Sequence, residues 1–126
     1  MGVTAVYNKD DDLMLATVVG EVNFQEIGQA IFNMLKDPNF RQDINIIWDA
    51  TQAKINMNDP NKTAMFELTS KLSQFSEQRG YGKTALVVSS NLYFGLARQF
   101  QNYMAETPRS VHVFKDMDAA KTWLGE

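Results

Sequence analysis

The chain has 126 residues, 44% of them hydrophobic, which suits one folded domain with a real core and leaves little room for a second. A formal charge of −3, with Arg and Lys scattered along the sequence, offers no basic footprint for nucleic acid. The absence of cysteine excludes disulfides, thiol catalysis and Cys-based metal sites, and it fits a reducing compartment.

The opening M-G-V-T-A-V-Y-N-K-D lacks the basic head and apolar segment of a secretory signal, and no apolar run approaches the ~20 residues of a membrane span. A cytoplasmic protein is therefore expected. Val3 to Tyr7 predicts a short strand. Asn8-Lys9-Asp10-Asp11-Asp12 is rich in residues that bond their own backbone and predicts a turn, and Leu13 to Val19 returns as the second strand of a hairpin. The acidic run lacks the spaced ligands and the glycine of a calcium loop, so it reads as a solvated turn. Asn23 is a helix N-cap, with Glu26 at the capping-box position. Phe24, Ile27, Gly28, Ile31 and Leu35 recur at helical spacing and predict one buried face, which Asp37-Pro38 ends.

The stretch D-I-N-I-I-W-D-A-T at 43–51 predicts the central strand, from Ile44 to Asp49. Its apolar run, flanked by helical patterns, favours a strand covered on both faces. Residues 53–58 read as a polar connection anchored by Ile55 and Met57. Asp59-Pro60 starts a long helix with Ala64, Met65, Leu68, Leu72 and Phe75 on its buried stripe, and Gly80 and Gly82 end it. Thr84 to Ser89 predicts a second interior strand. Ser90 or Asn91 caps the next helix, whose buried face is read as Leu92, Leu96, Phe100 and Tyr103, joined by Ala97 and Met104. Ser110 to Phe114 predicts the last strand, and Asp116 caps a final helix with Met117, Ala120 and Leu124 inward and Trp123 at the margin. The order ββαβαβαβα, with no linker or repeat, predicts a single α/β domain over residues 1–126. Right-handed crossovers would place helices on both faces of a mostly parallel sheet.

Motifs for chemistry are sparse. Neither G-x-G-x-x-G nor a Walker loop is present, and Gly80-Tyr81-Gly82-Lys83 has the wrong polarity to cradle phosphate, because it closes a helix and precedes a strand. The single histidine, His112, cannot build a His-rich zinc site and reads as solvent-facing or as a structural hydrogen-bonding group. Ser89 and Ser90 lack a nucleophile elbow and read as caps. Asp49 stands where open α/β sheets place their crevice. It can bind a cation, take a proton or fix a neighbouring loop, and the last needs no ligand. With Thr51, Ser90 and Asn91 it forms a candidate polar site at the strand ends. Phe66 and Phe94 lie off their predicted helical stripes, which reads either as ordinary partial exposure or, with two on neighbouring helices, as a patch or pocket rim.

Several blocks together resemble the SpoIIAA-like proteins of the STAS fold, named for sulfate transporters and anti-sigma factor antagonists. They are Gly20-Glu21, Asp49 after the central strand, K-T-A-L-V-V at 83–88, Y-F-G-L-A-R-Q-F at 93–100, and V-F-K-D-M-D-A-A-K-T-W-L at 113–124. The resemblance implies an open, mostly parallel STAS-like sheet with an N-terminal β-hairpin. In the anti-sigma antagonists a serine or threonine at the start of the second major helix is phosphorylated. Counted from Asp49, that position falls at Asp59, preceded by Asn58, and no hydroxyl stands there; Thr63 and Thr69 are nearby.

The resulting expectation is a non-catalytic, cytoplasmic interaction or regulatory module without metal or cofactor. It would dock a protein partner, or a second copy of itself, through Asn58, Asp59, Lys62, Phe66 and Phe94. The alternative is a binding protein for a small apolar or lipid-like ligand. The STAS fold also resembles lipid-binding CRAL-TRIO domains, and Phe66 and Phe94 could line a mouth with Ile55 and Met57 as a flap.

Overall fold

A computed structural model describes residues 2–55, 70, 82–103 and 110–125. Its described elements are β1 (Gly2–Asn8), β2 (Leu13–Val22), α1 (Phe24–Leu35), β3 (Asn45–Ile55), β4 (Lys83–Val87), α2 (Asn91–Tyr103), β5 (Ser110–Phe114) and α3 (Met117–Leu124). The five strands form one sheet in the order β1-β2-β3-β4-β5. β1 runs antiparallel to β2, and the other neighbours are parallel. The predicted hairpin and both interior strands are in place, and the architecture is an open, mostly parallel α/β sheet.

Alternation along the strands sorts the core into two layers. Met14, Ala16, Val18, Ile46 and Trp48 join Met34 of α1 on one face. Leu13, Ile47, Ala85 and Val87 join Ala120 and Leu124 of α3 on the other. Ile44 and Ile47 are fully buried at the start of β3. α2 packs against β5.

Local signals explain the helix ends. Asn23 Oδ1 accepts the Glu26 N–H at 2.8 Å, and the Asn23 N–H donates to Glu26 Oε1 at 3.3 Å, which completes the capping box. Asp116 caps α3 by accepting from the Asp118 and Ala119 amides.

Four expectations need correction. Asp49 does not end the central strand. β3 continues to Ile55, so residues 53–55, expected in a polar connection, belong to the strand. The strand continues because β2 extends to Val22 and keeps pairing with it, after a bulge that moves the register from Thr17–Asp49 to Val19–Gln52. Gly20 consequently lies inside β2, with φ of 79°, a conformation that favours glycine. β4 stops at Val87, two residues short of Ser89. On α1, Met34 is the buried residue, 3% exposed, although it was not read on the inner face.

The fourth correction concerns α2. Leu92 was expected inward and is 63% exposed. Among the described side chains of α2, Leu96 and Ala97 are half-buried as expected, and Tyr93, Phe94 and Gln101 join them in place of Leu92. Apolar side chains occupy a wide arc of this helix, and its neighbours select which part faces in.

Candidate functional site

In a run of parallel strands the carboxyl ends fall on one side of the sheet. Here that side carries Ser89 to Phe94 and Lys115, with Asp49 to Thr51 of the longer β3 level with the end of β4. Asp49 is half-buried opposite Val87. Its Oδ1 accepts the Thr51 amide at 3.1 Å and the Thr51 hydroxyl at 2.7 Å. The carboxylate thus closes a short Asx-type turn across the β3 bulge, the loop-fixing role that requires no ligand. The Thr51 carbonyl in turn accepts the Ser89 hydroxyl at 3.0 Å, which ties β3 to the segment between β4 and α2.

Ser90 supplies the cap of α2. Its Oγ accepts the Tyr93 N–H at 3.1 Å, and its carbonyl accepts the Phe94 N–H at 2.9 Å. Asn91 Oδ1 accepts from Lys115 Nζ, and the same ammonium lies 5.2 Å from the centroid of the Phe94 ring. The structure therefore brings together all four residues of the predicted strand-end group, together with Phe94. Lys115 was missed: it follows β5, and only the sheet order places the end of β5 beside the start of α2. Asn58, Asp59, Lys62 and Phe66 lie outside the described residues, as do Met57, Thr63 and Thr69.

The chemistry available at this surface is hydrogen bonding and cation–π contact. Asp49 Oδ1, Ser89 Oγ and Ser90 Oγ each serve a neighbouring backbone group, so these polar atoms hold the loops in register. Among the described residues no group of three or more His, Cys, Asp or Glu side chains could hold a metal ion. No described helix is long and apolar enough to cross a membrane.

Two further clusters stand apart from the strand ends. On β5, His112 is exposed and meets Trp123 of α3 edge-on, with ring centroids 4.7 Å apart; Phe114 lies 5.6 Å from the same indole. Lys83 Nζ donates to the Trp123 carbonyl at 2.9 Å, where a cation suits a helix C-terminus. This cluster docks α3 on the sheet. At the amino end of β3, Arg41 grips Asp12 through two hydrogen bonds of 2.9 and 2.6 Å, and the Tyr7 hydroxyl donates to Asp12 at 2.7 Å. Hydrogen bonds from Arg41 and then from Tyr7 hold the Asp12 carboxyl below its ordinary range, and the bond to Asp12 raises Tyr7.

No protein-family model matches the chain, and no curated protein matches it in sequence. Its structure is similar to the crystal structure of an uncharacterized protein from the DUF3478 family with a SpoIIAA-like fold, from Shewanella loihica PV-4. The TM-score is 0.61 at 16% sequence identity, and the match covers 98% of this chain and 94% of that one. At this identity the likeness is one of fold, and the fold of this chain is SpoIIAA-like.

Proposed function

We propose that the chain is a single STAS-like domain, residues 1–126, related to the SpoIIAA-like proteins, and that it is a non-catalytic interaction or regulatory module of the cytoplasm. The observation that carries this reading is the SpoIIAA-like fold, matched along nearly the whole of both chains. The use of polar groups at the strand ends supports it. Asp49, Ser89 and Ser90 bind the backbone around them, which suits a surface kept in shape for contact. Beside them the half-buried Phe94 ring, with the Lys115 ammonium 5.2 Å from its centroid, forms a small apolar patch with one cationic group. Such a patch is fitted to a partner that presents apolar side chains and a carboxylate. Asp59, where the resemblance expects a hydroxyl, makes the module a non-switching one.

The test is co-purification from native cells. Phe94→Ser and Lys115→Glu lose the partner that the wild type retains, while their circular dichroism is unchanged. Undiminished binding by the double variant rejects this surface. Native mass spectrometry of the same material decides the rival reading, since a reproducible lipid-sized adduct on the wild type would replace the docking module with a ligand carrier. A phosphate-sized increment on Thr63 or Thr69 would overturn the non-switching assignment.

A further inference from the structure

We infer that the protein self-associates through the outer edge of β1, which pairs antiparallel with β1 of a second copy. β1 closes one side of the sheet, and β2 takes its inner edge along Gly2 to Asn8. Among the described residues no strand takes its outer edge. Folded proteins guard such edges with lysine, proline, bulges or short length, because an open row of N–H and C=O groups templates pairing. β1 has none of these guards. It is seven residues long, G-V-T-A-V-Y-N, in unbroken register with β2. The opposite edge, β5, has five residues, with Pro108 and Arg109 before it in the sequence and Lys115 after it.

Charge and register favour a second copy as the occupant. The chain carries a formal charge of −3, yet no residue of β1 is charged. Two copies can therefore approach along this strand without like charges facing each other across the pair. A two-fold axis through Ala5 engages all seven residues. It sets Gly2 opposite the partner's Asn8, Val3 opposite the partner's Tyr7, and Thr4 opposite the partner's Val6, as an isologous interface requires. The same operation on β5, centred on His112, would set each His112 against its copy. On β1, Val3, Ala5 and Tyr7 already pack against the core. Thr4 and Val6 point to the opposite face, where Val6 is 56% and Val19 37% exposed. In the paired sheet the partner's Thr4 lies beside Val6, and the hairpin rows continue from one copy into the next.

Light scattering coupled to size exclusion tests this on the full chain. The wild type has twice the chain mass at high concentration and dissociates on dilution. Thr4→Lys with Val6→Lys sets lysine against lysine twice across the axis and gives a monomer with unchanged circular dichroism. Thr4→Glu with Val6→Lys sets glutamate against lysine twice and restores the dimer. A wild type that stays monomeric at every concentration overturns the proposal, and so does a folded double-lysine variant that remains dimeric. Hydrogen exchange on the wild type requires no variant to fold. Amides of β1 gain protection as concentration rises, and a β1 whose exchange ignores concentration also overturns the pairing.

Discussion

Thr84 carries a hydroxyl in the wrong place for stability. The residue is 3% exposed on the interior strand β4, and its Oγ1 has no hydrogen-bond partner among the described residues. An unmet buried hydroxyl costs about 1–3 kcal/mol of desolvation, and valine keeps the β-branched shape that suits a strand. Thr84→Val is therefore expected to raise the unfolding free energy by about 1 kcal/mol in urea denaturation. The exposed Asp12 gives a prediction of sign. Its folded-state carboxyl lies below the ordinary range because Arg41 and Tyr7 donate to it. Its contribution is thus fully present above the unfolded-state value, near pH 4, and is lost as pH falls through the folded one. Asp12→Asn should be less stable than the wild type at neutral pH, with the gap closing in acid. A gap that widens in acid would contradict this assignment. Solvent on both partners of the Asp12–Arg41 pair keeps the effect small.

At the scale of elements, α1 and α2 show two degrees of local instruction. Asn23, Glu26 and the proline after Asp37 mark both ends of α1 in the sequence, and the structure places the capping box there. Asn23→Ala should cost about 0.5–2 kcal/mol in thermal or chemical unfolding. α2 has a clear start at Ser90 but no unique inner face. Gly95 lies on its exposed side, and a Cβ added there meets nothing within 4 Å. Gly95→Ala should then raise stability by about 0.5–1 kcal/mol by restricting the unfolded chain. Loss of stability in this variant would mean that the exposed arc of α2 is covered by something else.

At the scale of the whole molecule, Asn45 joins elements that are distant in sequence. Its Oδ1 accepts the Lys83 N–H at 3.0 Å and its Nδ2 donates to the Leu124 carbonyl at 3.3 Å, which locks the start of β3 to the start of β4 and the end of α3. The sequence presents it only as a polar break in an apolar run. Asn45→Ala leaves the Lys83 amide without that acceptor in a half-buried site, and should cost about 1–3 kcal/mol. Hydrogen exchange should quicken at Lys83 and in the last turn of α3 together. Faster exchange in only one of the two would show that Asn45 does not couple them.

Local patterns in the chain were enough for the order of the five strands and of α1, α2 and α3, the hairpin, both interior strands and the caps at Asn23 and Asp116; the long helix expected from Asp59-Pro60 lies outside the described residues. Each depends on periodicity, or on a side chain bonding backbone within a few residues, so the information is local. The tertiary structure alone decided which arc of α2 faces inward, how far β3 runs, and what stands beside Phe94. Leu92 and Phe94 are both apolar, and only the surrounding elements choose between them. β3 continues past Asp49 because β2 remains paired with it through a bulge. Lys115 reaches Asn91 and Phe94 because parallel pairing sets the end of β5 beside the end of β4. Such contacts are set by strand order, which residue spacing along one chain does not encode.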